Sequence, residues 1–212
     1  MKRRPGTVAR YTPGARANHW LNAIILILLA LSGMALFHPA LYFLTGLFGG
    51  GVWARILHPF LGLALIVTFA GLFIRFWRYN IWERSDTQWL NRIRDVLAAR
   101  DENLPEVGRY NAGQKIVFWL MTIAIVTLFL SGIVMWEDPV IGTDFSIQQK
   151  RIALVVHASA AVIIICVWII HLYAAIWVKG TVSAMTRGTV SGGWAWKHHR
   201  KWLREEAAKG PK

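Results

Sequence analysis

The chain has 212 residues, the size of one ordinary domain, and 55% of them are hydrophobic while only 17% are charged, which excludes a typical soluble fold. Its formal net charge of +13 would suit a nucleic-acid partner, but the places where that charge sits exclude this class. The single cysteine, Cys166, excludes an internal disulfide and is expected to act as a small apolar residue without a role.

Residues 1–16 form a basic tail with Pro5, Gly6, Pro13 and Gly14, expected to be irregular and to lie against a membrane surface. The stretch "MKRRPGTVARYTPGARANHW" before a Leu-rich run is similar to the first two parts of a signal peptide. No small-x-small cleavage site follows cleanly, so the run is read as a retained first helix. That first span covers Trp20–Phe37, and Leu21–Leu36 holds only Asn22 and Ser32 as clearly polar residues. It ends at His38-Pro39. The connector "LYFLTGLFGGG" is apolar and glycine-rich and is placed in the outer interface. A second span, Trp53–Ile74, returns and stops at "IRFWRYN", where arginines and aromatics mark the boundary.

The connector 79–115 is the longest. Within it "DTQWLNRIRDVLAAR" sets Trp89, Leu90, Ile93, Val96 and Leu97 at helical spacing. Such a segment lies in the headgroup plane or docks on the chain's own helices, and the spacing does not choose. A third span, Ile116–Trp136, leads to the acidic outer turn "EDPVIGTDFSIQQK". The fourth, Ile152–Val178, ends in a basic, tryptophan-containing tail over 179–212. Each span has roughly the 20 apolar residues that a bilayer requires. The expected fold is therefore all-α and integral to the membrane. It is a four-transmembrane-helix bundle forming a single membrane domain over 1–212.

Lys and Arg orient it. Five fall in residues 1–16, eight in 75–115 and eight in 179–212, against only Arg55, Lys150 and Arg151 elsewhere. The positive-inside rule then puts both termini in the cytoplasm, across the bacterial cytoplasmic membrane. The charge is a topology signal with some attraction to anionic lipid.

Histidine supplies the chemistry. His198 and His199 lie in the polar tail and are expected to be solvated; His38, beside Pro39 at a helix end, reads as an interfacial residue. Four remain. His19 sits at the inner end of the first span and His58 at the outer end of the second. The fourth span carries His157 near its outer end and His171 near its inner end. These two are about 21 Å apart and project from nearly one face. Two levels result, His58 with His157 outside and His19 with His171 inside. A b-type haem requires two neutral imidazoles on opposite faces of its iron, and helix pairs can present them. Zinc fits poorly because neither level offers three ligands. A proton relay would usually include an intramembrane Asp or Glu, and the spans contain neither. Covalent c-type attachment is excluded, because Cys166 lies outside any C-x-x-C-H pattern. Both outward spans also carry a Ser-Gly pair, in "ALSGMALFHP" and "FLSGIVMWEDP". These read as plain helix packing, and a duplication of the chain is left open.

The segments "RANHWLNA", "ARILHPFLG", "GRYNAGQK" and "HLYAAIWVKGT" together resemble the gamma subunit of respiratory formate dehydrogenase, a membrane cytochrome b, over nearly the whole chain. The four-helix dihaem core is shared with hydrogenase cytochrome b subunits. The resemblance implies that His58 and His157 bind the outer of two non-covalent b haems and His19 and His171 the inner one. It also implies a quinone pocket, for menaquinone or ubiquinone, at Asn111, Gly113 and Gln114. The residues themselves allow this: Asn111 and Gln114 offer hydrogen bonds and Gly113 permits close approach. They also allow Asn111 to be simply a helix N-cap. The implied partners are an iron–sulfur (beta) subunit and a periplasmic catalytic (alpha) subunit. The chain would then move electrons to quinone and perform no formate chemistry of its own. Two rival readings remain: the cytochrome b of a hydrogenase or another periplasmic oxidoreductase, and, from a different class, a haem-free anchor or proton-coupled transporter. Arg16, Arg75, Arg55 and Arg151 stand at the boundaries, for haem propionates or for lipid headgroups.

Overall fold

The computed structural model describes residues 6–136 and 144–209. Of the acidic turn expected over 137–150, residues 137–143 lie outside them. In chain order the described elements begin with strand β1 (Thr7–Ala9), helix α1 (Pro13–Phe37), a 3-10 segment (Pro39–Phe48) and α2 (Gly51–Phe76). There follow α3 (Arg84–Asn91), α4 (Ile93–Leu97), α5 (Ala112–Met135), α6 (Ile147–Trp177) and α7 (Thr181–Thr186). Strand β2 (Thr189–Ser191), α8 (Gly192–His198) and α9 (Arg200–Ala208) complete the chain. Four helices, Pro13–Phe37, Gly51–Asn80, Ala112–Met135 and Ile147–Trp177, are long and apolar enough to cross a membrane, as the hydropathy pattern predicts.

The helices start earlier than the apolar runs do, and the caps explain why. Pro13 occupies the first position of α1, where its missing N–H costs nothing, and the Thr12 hydroxyl accepts from the Ala15 N–H at 3.3 Å. At α5 the Gln114 N–H donates to Asn111 Oδ1 and the Asn111 N–H donates to Gln114 Oε1, both at 3.0 Å. That is a reciprocal capping box. Residues 7–16, expected to be irregular, therefore hold a strand and the first turn of a helix.

Contacts divide the chain into two units. One comprises 17–74 and 120–170. Its core is Ile25 of α1, Leu65 and Phe69 of α2, Ala124 and Ile125 of α5, and Ile164 of α6. Large aliphatic residues such as Val67, Ile123 and Val155 face outward, which suits hydrocarbon and no other solvent. Cys166 is exposed on α6. The chain reversal before α2 rests on Gly49 and Gly50, at φ 87° and 103°, a left-handed conformation that favours glycine. The Gly50 N–H closes this turn on the Thr45 carbonyl at 2.9 Å.

The other unit comprises residues 1–16, 75–119 and 171–212. Its β1 and β2 pair antiparallel, Val8 opposite Val190. Trp194, Trp202, Ala195, Ala184 and Val190 make its main core, and Trp89 packs with Val107 and Ala112 in a second. The connector's apolar stripe is split by this arrangement. Trp89 docks on the chain itself, whereas Ile93 and Leu97 of α4 stay exposed, and the helix breaks at Arg92 between α3 and α4. Lys115 and Asp86 form a buried ion pair at 2.7 Å, with Lys115 Nζ also donating to the Ile81 carbonyl at 2.9 Å. The tail is not simply polar. His199, expected to be solvated, is 1% exposed, because it lies against the Trp194 ring with centroids 5.0 Å apart; His198 is half-buried.

Candidate functional site

His58 on α2 and His157 on α6 meet inside the membrane unit. Their ring centroids are 6.2 Å apart and their planes are inclined at 63°. Two imidazoles sharing one metal, each bonded at about 2.0 Å, need centroids about 6 Å apart. Each ring is held from behind by a serine of a neighbouring helix. Ser32 Oγ of α1 lies 2.7 Å from His58 Nδ1, and Ser131 Oγ of α5 lies 3.0 Å from His157 Nδ1. Each hydroxyl also reaches a carbonyl of its own helix, Ser32 that of Leu29 at 3.2 Å and Ser131 that of Thr127 at 2.6 Å. With its proton on that carbonyl, each serine offers the ring a lone pair, the arrangement in which Nδ1 carries the hydrogen and Nε2 is free to bind a metal.

The neighbouring glycines complete the seat. A Cβ on Gly33 would stand 3.4 Å from His58 Cε1, and one on Gly132 3.5 Å from His157 Cε1. Gly62, one turn beyond His58, has no neighbour within 4 Å of where a Cβ would stand. Among the described residues no three of His, Cys, Asp and Glu gather as a metal site. A ligand carrying its own equatorial nitrogens, a haem, fits this two-imidazole seat, and a bare zinc ion does not.

Chain positions show why the two halves match. Ser32 to His58 and Ser131 to His157 are both steps of 26 residues, and 99 residues separate one set from the other. The same offset relates Arg10 to Arg109 and Tyr11 to Tyr110, and in the other unit these pairs touch. Each arginine donates to the other's carbonyl, and the tyrosine hydroxyls are 3.1 Å apart. It also relates the two helix caps, Thr12 and Ala15 to Asn111 and Gln114. The Ser-Gly pairs thus also set a hydroxyl against each imidazole, a contact that reading span by span misses. Their constant distance from a histidine was the available signal.

The remaining predicted residues are placed separately. His19 is half-buried on α1 with its ring edge-on to Trp20, centroids 5.5 Å apart, and lies in the membrane unit. His171 is half-buried on α6 and belongs to the other unit. His38 is exposed, and its Nδ1 accepts from the Ala40 N–H at 3.2 Å as the cap of the 3-10 segment. Asn111 and Gln114 use their carbonyl oxygens in the capping box, which leaves their amide N–H groups for a ligand. A Cβ at Gly113 would stand 3.3 Å from the Trp89 ring, so the close approach made there is that of Trp89. Arg16 donates to the Thr186 carbonyl at 2.6 Å and Arg75 to the Thr12 hydroxyl at 3.4 Å; Arg55 and Arg151 are exposed.

Beside Asn111, burial and the neighbouring Tyr11 raise the Tyr110 hydroxyl well above its ordinary range, so it stays protonated. Arg10 lies 4.4 Å over the Trp202 ring, and burial lowers its pKa. His199 donates from Nδ1 to the Gly108 carbonyl at 2.9 Å and turns Nε2 toward Arg10 at 3.5 Å. Burial, with Arg10 adding to it, pushes its pKa down to about 3.

Residues 10–188 match the family described as prokaryotic cytochrome b561. The chain is 44% identical over 205 residues to the formate dehydrogenase cytochrome b556(fdo) subunit of Escherichia coli K12, covering 97% of this chain and 95% of that one. It is 43% identical over 190 residues to the nitrate-inducible cytochrome b556(Fdn) subunit of the same organism, 90% and 87% of the two chains. To the formate dehydrogenase cytochrome b556 subunit of Haemophilus influenzae it is 36% identical over 199 residues, 94% and 83%.

Proposed function

We propose that this chain, which belongs to the prokaryotic cytochrome b561 family and is a multi-pass protein of the bacterial inner membrane, is the membrane cytochrome b subunit of a formate dehydrogenase. It accepts electrons from an iron–sulfur subunit at the outer face, conducts them inward, and delivers them to quinone at the cytoplasmic face. The catalytic partner oxidises formate; this chain separates charge. The observation that carries the reading is the His58–His157 pair, two imidazoles at metal-sharing distance whose Nδ1 atoms are both engaged by serine.

When bound, two b-type haems supply one-electron carriers of tunable potential. His58 and His157 hold the outer one, and His19 and His171 the inner one. Stacking two sites along α6, about 21 Å apart by helical rise, divides the membrane into two short electron steps. Both termini lie in the cytoplasm, a reading supported by 21 basic residues in the three inner segments against three elsewhere. Each electron moved inward works against the membrane potential by about 2.3 kcal/mol per 100 mV. The fall in potential from formate to quinone supplies that work, and proton uptake with the quinone on the cytoplasmic side adds to the protonmotive force.

Quinone, menaquinone or ubiquinone, binds beside Asn111, Gly113 and Gln114. The Asn111 and Gln114 amide N–H groups face its oxygens, while their carbonyls keep α5 capped.

Formate added to membranes containing the assembled complex tests the function. The account expects b-type absorption bands to become reduced and then reoxidised on addition of quinone. Bands that stay oxidised with formate, but reduce with dithionite, would assign the chain to a different donor.

A further inference from the structure

We propose that Ser32 and Ser131 are positioning residues that set the electron-donor strength of the two outer imidazoles, and so hold the outer iron at a potential of its own. This rests on His58 and His157 binding that iron.

The two serines lie inside membrane spans, Ser32 near the end of α1 and Ser131 near the end of α5. Ser32 is 0% exposed. A mid-helix serine normally bonds back to its own carbonyls and nothing else, and both do so here. Each also receives a second partner from another helix, the Nδ1–H of a predicted ligand, at 2.7 and 3.0 Å. A ligand imidazole that donates from Nδ1 gains electron density at Nε2, which strengthens its bond to iron and favours the more positive ferric state. Second-sphere hydrogen bonding of this kind is one of the few levers a protein has on a buried haem.

The pull on the two ligands is not equal. His58 has the shorter serine contact. Ser32 should therefore matter more than Ser131, although the two occupy equivalent positions in the chain's internal repeat.

A serine that only fills space between helices would leave the ligands' electronics untouched, and this separates the two roles. Redox titration of Ser32→Ala in the intact complex should show two haems per chain, with one midpoint potential raised and the other unmoved. The electron paramagnetic resonance signal of the same haem should shift, because it reports the orientation of the two ring planes. Ser131→Ala should move the same potential in the same direction, by less. Ser32→Thr retains a hydroxyl that can bond its own helix in the same way, and should restore the wild-type potential. Two retained haems with both potentials unmoved in Ser32→Ala would overturn the proposal. If Ser32→Ala loses a haem, Ser32→Thr decides: wild-type potentials support the proposal, and loss of the haem again shows that serine's size is what counts. The underlying ligand assignment fails in a different experiment, if His58→Ala keeps both haems.

Discussion

His58 and His157 are counterparts, 99 residues apart on α2 and α6, each with a serine 26 residues before it and a glycine beside its ring. His19 and His171 have no such relation: the same offset carries His19 to Phe118 and His171 back to Leu72. The His58–His157 pair is thus a product of the repeat, and its two rings are seated in nearly the same way. His19 and His171 each occur once, on opposite halves of the chain.

The comparison predicts its sharpest break in electron flow. His58→Ala should abolish reduction of the remaining haem by the partner subunits. His19→Ala should leave the outer haem reducible by formate while quinone reduction stops; stopped-flow spectroscopy of the two variants reads the difference. If both variants block formate reduction of the surviving haem, the sites do not stand in series as assigned.

The next effect belongs to the other unit. Asp86→Ala leaves the buried Lys115 ammonium with only the longer Glu83 carboxylate contact at 3.9 Å in place of a 2.7 Å ion pair, a loss toward the low end of about 3–5 kcal/mol. Asp86→Ala should release the connector 79–111, seen as faster hydrogen exchange there, while both haem spectra keep their shape. An outer-haem spectrum altered along with the connector would mean that the two regions are not independent.

Acid should also destabilise this unit. His199 is neutral when folded, with its pKa at about 3 against 6.5 for an ordinary imidazole. The unfolded chain therefore binds more protons between those values, and stability is full above pH 6.5 and falls below it. The slope is about 1.4 kcal/mol per pH unit, roughly 2 kcal/mol by pH 5. Hydrogen exchange over 189–203 measures it, and His199→Gln should flatten the dependence.

The smallest effect concerns quinone. Gln114→Glu retains the carbonyl-type oxygen that caps α5 and removes the N–H donor. One hydrogen bond is worth about 1 kcal/mol, so quinone reduction should slow about five- to tenfold with the helix intact. Unchanged turnover would move the pocket away from Gln114.

Much of this was legible in the chain. Hydropathy located all four spans, because hydrocarbon admits few other sequences. Histidine depth alone matched His58 with His157. Helix starts were not legible from hydropathy, since Thr12-Pro13 and Asn111-Gln114 extend α1 and α5 beyond the apolar runs through capping. Ser32 and Ser131 were visible but read as packing, because a serine's acceptor role depends on a residue from another helix. The buried His199 was hidden for a related reason: the Trp194 that lies against it sits among lysines and arginines, and their average polarity suggests solvent.

The account is tested most directly by the haem-to-chain ratio of the isolated complex, measured for the wild type and for His58→Ala and His157→Ala. It predicts two haems in the wild type and one in each variant, the inner one surviving. Two haems in either variant, or none in the wild type, would contradict it.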